Sequence, residues 1–173
     1  MAGHKRGNSR GRPLDDALRV RAEDAEDLTV LSACLQDALV AVRDIAYFPG
    51  ERRLAMLVNR YRWEGAAESE PGGERVLCAV ALDGVRQVRR RGIDQTRPGH
   101  LLSLLAIRAA GFGAGAGAAP AAGAAIEFLF AGDAAIRVEL DRLLLRAEDM
   151  EEPYPTAWRP HHPADDDPAG PKA

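Results

Sequence analysis

Three places in the chain set polar side chains close enough together to do chemistry. The first is the run Arg89-Arg90-Arg91-Gly92-Ile93-Asp94-Gln95. A guanidinium presents a planar fork of donors that matches a carboxylate or a phosphate. Gly92 lets the backbone adopt a conformation that other residues resist. A loop here could therefore offer Arg91, Asp94 and Gln95 to an anionic metabolite. The competing reading is structural: Arg91 pairs with Asp94 at low net gain, Gly92 turns the chain, and Ile93 anchors it in the core. The second place is Asn59 to Trp63, where alternation puts Asn59, Tyr61 and Trp63 on one face of a strand and Arg60 and Arg62 on the other. Interleaved rings and arginines form single-stranded RNA platforms, with bases stacked on the rings and phosphates tracked by the arginines. With rings and arginines on opposite faces, Tyr61 and Trp63 read better as core or interface residues. Asn59 and Trp63 thus join the arginine loop as candidate binding residues. The third place, Gln36-Asp37 with Arg43-Asp44, reads as a helix cap and surface ion pairs.

Acid, base and metal chemistry need at least two suitable groups at one point. Of the four histidines, His4, His161 and His162 lie near the ends, and His100 sits in a Pro-Gly-His loop. His161-His162 beside Asp165 to Asp167 would bind a metal only adventitiously, since a flexible segment loses entropy when it orders ligands. No Gly-x-Ser-x-Gly elbow, His-Glu-x-x-His helix or Cys/His pair occurs. Cys34 and Cys78 lie in apolar stretches without zinc or redox spacing and read as buried reduced thiols, which favours the cytoplasm. The Gly/Ala-rich stretch 109–125 is followed by no Lys, Ser or Thr, so it is not a phosphate loop. No catalytic residue, metal or cofactor is expected.

At 173 residues the chain suits one domain, and 46% hydrophobic with 28% charged residues is the mixture of a globular protein. No apolar run approaches the ~18 residues that cross a bilayer, and the basic stretch 1–12 lacks the apolar segment of a secretory leader. The net charge of −3 divides unevenly, with four basic residues in the first thirteen and seven acidic residues after 147. The body between is nearly neutral, which gives nucleic acid no electrostatic footing. The expected organisation is a disordered basic tail over 1–13, a single domain over 14–150 with a flexible Ala/Gly loop at 109–125, and a disordered acidic, Pro-rich tail over 151–173.

These residues need a frame to hold them. Leu18 to Ala22 alternates like a strand. Asp24 and Asp27 then form a capping pair before Leu28, Leu31 and Leu35 at helical spacing, a helix ending near Gln36. Val40, Val42, Ala46 and Phe48 are expected on one strand face up to a Pro49-Gly50 turn, with Arg53 to Trp63 returning beside it. Val76 to Leu82 should turn at Asp83-Gly84 into a hairpin with Val85 to Arg90. Leu101 to Ile107, apolar on both faces, belongs in the middle of the sheet. Ile126 to Phe130 turns at Gly132-Asp133 into a strand from Ile136 that continues through a bulge past Leu140. The fold class is α+β: one early helix packed on a mostly antiparallel sheet or incomplete barrel of about seven strands.

Several segments taken together carry a resemblance. They are Ala25-Glu26-Asp27-Leu28, Leu35-Gln36-Asp37-Ala38, Glu51-Arg52-Arg53-Leu54, Asn59-Arg60-Tyr61-Arg62-Trp63-Glu64, Arg91-Gly92-Ile93-Asp94-Gln95 and Leu102-Ser103-Leu104-Leu105-Ala106-Ile107-Arg108. In this order the chain resembles an uncharacterised family of small alphaproteobacterial proteins, a domain of unknown function, over roughly Leu18 to Ala147. The resemblance implies no activity and carries over no catalytic residue. The residues themselves point first to a non-catalytic cytoplasmic protein that binds a protein partner or its own second copy near Trp63 and the Arg91–Asp94 loop. Recognition of an anionic metabolite through Arg91, Asp94 and Gln95 comes second, and single-stranded RNA binding third.

Overall fold

The computed structural model describes residues 17–65, 73–112 and 121–160. The segment 1–13, most of the stretch between Gly111 and Ala121, and His161-His162 with Asp165 to Asp167 lie outside the described residues. The elements run β1 (Arg19–Ala22), α1 (Ala25–Cys34), β2 (Leu39–Ala41), a 3-10 turn (Val42–Asp44), β3 (Ile45–Phe48), β4 (Arg53–Tyr61), a 3-10 turn (Trp63–Gly65), β5 (Glu74–Asp83), β6 (Val85–Arg91), β7 (Leu101–Ala110), β8 (Ala125–Phe130), β9 (Ala135–Leu140), β10 (Leu145–Asp149) and β11 (Tyr154–Pro155).

Helix α1 starts where the sequence puts it. The Asp24 carboxylate accepts from the N–H groups of Glu26 and Asp27 at 3.0 and 2.9 Å, and Asp27 reaches back to the N–H of Glu23 at 3.1 Å. Leu28, Leu31 and Leu35 are buried, and the Ile107 N–H donates to Ser32 Oγ at 2.8 Å, locking the helix to β7.

The strands pair antiparallel throughout, in the order β1-β10-β5-β4-β2-β7-β8-β9-β6, with β3 beside β4 and β11 beside β5. The class is α+β with one helix on an open antiparallel sheet, but the sheet has eleven strands among the described residues, not about seven. The extra strands come from interruptions that apolar alternation does not reveal. The expected strand from Ala38 to Phe48 is cut by the 3-10 turn, whose Val42 and Arg43 N–H groups donate outward to the carbonyls of His100 and Pro98. The turn resets the parity: Val40 and Val42 face the core, but beyond the turn it is Ile45 that packs on the core, with Tyr47, itself exposed, on the same side at the cavity, and not Ala46 and Phe48. The β3–β4 hairpin around Pro49-Gly50 forms as expected, Phe48 opposite Arg53. The stretch 151–160, expected in a tail, supplies β11, Tyr154 opposite Arg75.

The sheet falls into two halves, β1-β10-β5-β4 and β7-β8-β9-β6, bridged by the short β2. Asp83-Gly84 does not turn a hairpin, since β6 pairs with β9 and not with β5. Gly84, at φ +76°, is a corner through which the chain passes from one half to the other. Hydrogen bonds from Asp83 N to Leu144 O and from Asp141 N to Gly84 O bind this corner to the returning strand. The same crossing corrects the expected bulge past Leu140: residues 141–144 leave the sheet, and Leu145–Asp149 is a separate strand paired with β1 and β5 on the other half. The parity change at Leu143 and Leu145 marked a change of sheet half, not an extra residue. The Gly132-Asp133 hairpin between β8 and β9 forms as expected, with Phe130 N–H donating to Ala134 O at 2.8 Å. β7 is interior to the sheet, flanked by β2 and β8. No helix of the described residues is long and apolar enough to cross a membrane.

Gly84 and Gly92, two of the six glycines with positive φ among the described residues, hold it for different reasons. A Cβ on Gly84 would sit 3.5 Å from the nearest atom, so only the backbone conformation opposes a side chain there. At Gly92, φ +66°, a Cβ would also lie 3.2 Å from Ala134 Cα and 3.3 Å from the Asp133 carbonyl. Gly84→Ala is expected to cost about 1–2 kcal/mol, the left-handed penalty alone. Gly92→Ala is expected to cost more, because backbone must move. Equal urea midpoint shifts for the two would contradict this ordering.

Candidate functional site

Two polar constellations lie at opposite ends of the molecule. At one end, β4 carries the alternation Leu54, Met56, Val58, Arg60 into the core, so the guanidinium of Arg60 is fully buried. On β10 the alternation Leu145, Ala147, Asp149 does the same with a carboxylate. Arg60 Nε and Nη2 donate to the two Asp149 oxygens at 2.8 and 2.7 Å, and its Nη atoms also donate to Glu64 at 2.6 and 3.1 Å. Asp149 Oδ2 accepts from the Leu18 N–H at 2.9 Å, so one carboxylate ties the start of β1 to the ends of β4 and β10. Burial alone would disfavour the charge of Arg60, but the hydrogen bonds it donates to its two carboxylate partners outweigh it and hold the guanidinium charged. Burial likewise raises the Glu64 carboxyl, and the Arg60 hydrogen bonds overcome that to leave it below its ordinary value. Beside this pair Cys78 is buried, and desolvation pushes its thiol up to about 12, so it is inert.

The sequence candidates of this region are structural. Tyr61 is buried and meets Trp63 with ring centroids 4.6 Å apart, while the Trp63 indole N–H donates to the Gln36 carbonyl at 3.2 Å. Arg62 is buried and donates to Glu74 at 2.8 Å. Asn59 donates to the Tyr154 hydroxyl. Arg75, which the sequence did not single out, lies over the rings of Tyr61 and Trp158 at 5.9 and 5.4 Å and donates to the Asn59 carbonyl at 2.8 Å. Burial lowers its pKa. With Arg60, Arg62 and Tyr61 inside the protein, these side chains do not line the exposed groove that stacked single-stranded RNA requires.

At the other end lies a cavity of about 200 Å³ between the β3–β4 hairpin and the β6–β9 pair. Val42, Ile45 and Leu54 form one wall, and Val88 and Ile136 the other. The loop after β6 closes the end of the cavity with Ile93 and Gln95, and Tyr47 and Arg90 complete the lining. β3 pairs only with β4 and β6 only with β9, so the space between these two edges is where the sheet stays open. The β3–β4 turn meets the start of β6 where Val85 N–H donates to the Arg52 carbonyl at 2.9 Å and Arg52 Nε donates to the Val85 carbonyl at 3.2 Å.

The cavity sorts the arginines of β6 by direction. Val88 and Arg90 share the parity that lines the cavity, Val88 half-buried and Arg90 exposed at its rim, and Arg89 and Arg91 fall on the other parity. Arg91 donates to the Asp133 carboxylate at 2.9 Å, not to Asp94. Asp94 accepts from the Thr96 N–H and hydroxyl at 2.9 and 2.6 Å, which lowers its pKa. Of the sequence candidates Arg91, Asp94 and Gln95, only Gln95 reaches the cavity. Arg86 pairs with Asp141 and Arg89 with Glu139, whereas Arg90 has no acidic partner among the described residues. The parity shared with Val88 was the signal that distinguished Arg90 from its neighbours. His100 is exposed, in the loop that leads into β7.

An open antiparallel sheet with one helix, sealed at one end by buried ion pairs and hollow at the other, is a fold that encloses space beside a basic strand. The chain belongs to the family described as "Protein of unknown function (DUF2948)", which matches residues 18–162. That span includes both polar constellations and β11. No curated protein and no solved structure matches the chain.

Removing one member of a buried ion pair strands the other. Asp149→Ala is expected to lose about 3–5 kcal/mol in urea unfolding. Arg60→Met with Asp149→Leu should recover at least half of that loss, and a double variant no better than Asp149→Ala would contradict the pairing. Glu64 and Asp83, both held below their ordinary values, contribute stability that is present above their unfolded pKa values and lost as pH falls through the folded ones. Stability should therefore be flat from neutral pH to about pH 5 and fall below about pH 4. Glu64→Gln should be less stable at neutral pH with a shallower acid limb, as measured by melting temperature against pH.

Proposed function

We propose that this is a non-catalytic cytoplasmic binding protein whose binding site is the cavity between β3 and β6. The observation that carries this reading is a cavity at an open seam of the sheet, lined by six aliphatic side chains together with Tyr47, Arg90 and Gln95. Small-molecule sites have that composition: apolar walls that supply affinity and sparse polar groups that supply orientation. The arginine loop serves the site through its backbone path, in which Gly92 turns the chain so that Ile93 and Gln95 close the cavity. The free thiols Cys34 and Cys78 suit a reducing compartment. Contact with a second copy is the competing reading, favoured by Leu57 and Leu101, which point outward on strands either side of β2 at 44% and 58% exposure.

The test uses a neutral apolar probe, 1-hexanol, followed by ligand-observed NMR on the whole chain. Saturable binding by the wild type that is lost in Val88→Phe, a substitution that fills the cavity, is the expected result. Equal binding by a folded Val88→Phe would end the cavity reading. Sedimentation of the wild type against Leu57→Glu with Leu101→Glu decides the competing one, since a dimer that the double variant dissolves would favour it.

A further inference from the structure

We infer that the cavity takes an amphipathic monocarboxylate, with Arg90 receiving the carboxylate and the apolar walls receiving a short chain or ring. This deepens the cavity reading and rests on it. Four arginines lie on β6, and three of them are neutralised: Arg86 by Asp141, Arg89 by Glu139, and Arg91 by Asp133. The fourth, Arg90, is the one that alternation turns toward the cavity, and it alone has no carboxylate among the described residues. The residues lining the cavity include one cation and no anion. An uncompensated guanidinium at the edge of an apolar space favours a ligand that brings the missing negative charge.

The number of cations fixes the kind of head group. One guanidinium fork matches the two oxygens of one carboxylate, and the Gln95 amide and Tyr47 hydroxyl are neutral donors that can complete its hydrogen bonds. A phosphate monoester carries nearly twice the charge and calls for more than one cation or for a run of backbone N–H groups. The volume fixes the size of the tail. About 200 Å³, at ~30 Å³ for each small group, holds about six or seven non-hydrogen atoms. Hexanoate puts a tail of five carbons in this volume and leaves its carboxylate at the exposed edge, where Arg90 lies. The seam between the edges of β3 and β6 gives its carboxylate a path to solvent and to Arg90, while its tail lies between Ile45, Leu54 and Ile136.

Isothermal titration of the full chain with hexanoate, 1-hexanol and hexyl phosphate, on wild type and on Arg90→Gln, tests this. Arg90 is exposed and bears no structural ion pair, so Arg90→Gln should fold as the wild type does, which a thermal melt checks. Wild type should bind hexanoate about tenfold or more tightly than hexanol, as a hydrogen bond to a charged group implies. Arg90→Gln should erase that preference and leave hexanol binding unchanged. Equal binding of hexanoate and hexanol by wild type would overturn the carboxylate assignment and leave the cavity reading standing. Binding of neither would overturn both. Tighter binding of hexyl phosphate than of hexanoate would overturn the head group, and a preference for hexanoate that survives in Arg90→Gln would overturn the role of Arg90.

Discussion

The structure depends on one fully buried charge. Arg60 lies at the end of an inward-facing apolar row on β4, where an unpaired guanidinium would face a desolvation cost of several kcal/mol. Asp149 ends the matching row on β10 and meets it with two hydrogen bonds. The pairing fixes register, because sliding either strand by one residue would turn one of the charges outward and leave the other stranded. Asp149 also accepts from Leu18, so one carboxylate ties β1 and β10 to β4. The nearby Arg75 extends this order to the chain end, bridging the Asn59 carbonyl and the ring of Trp158.

The two ends of the molecule use arginine in opposite ways. At the buried end Arg60 and Arg62 are each matched by acid, beside the paired rings of Tyr61 and Trp63. On β6 the pairing is selective: outward arginines are matched on the surface, where such pairs contribute little to stability, and the inward one is left unmatched. A wholly structural strand gains nothing from a cation aimed at an apolar hollow. The corner at Gly84 makes this possible, since it takes β6 away from β5 and lays it on β9, so that the strand edges never zip together beyond Val85.

Much of this was legible in the sequence, and the losses have identifiable causes. The capped helix, the β3–β4 and β8–β9 hairpins and the interior position of β7 follow from local alternation and turn residues, which depend on near neighbours alone. Asp83-Gly84 was misread because a dipeptide suited to a tight turn is equally suited to a corner, and the choice is made by strands distant in sequence. The arginine-rich strand drew attention to the right element but to the wrong member of it: Arg91 and Asp94 have local or surface partners, and the informative residue was Arg90, in step with Val88. Arg60 was placed correctly on the face opposite Tyr61, yet its parity with Leu54, Met56 and Val58 already assigned it to the core. Glu64 lies four residues on, but the buried counterion Asp149 could not be guessed, because it lies eighty-nine positions away.

The pairing of β1 with β10, Arg19 opposite Glu148, joins the two ends of the described fold. A chain emerging from a ribosome exposes the apolar faces of β1 and α1 early, while the strand that covers that edge is made among the last. Local hairpins can close as they appear, but the half of the sheet built around Arg60 has to wait for Asp149. Such long-range closure slows folding relative to a fold of similar size built from neighbours. Until that late strand arrives, the guanidinium destined for the interior remains hydrated. Synthesis of β10 thus commits the sheet half around Arg60 to its native arrangement.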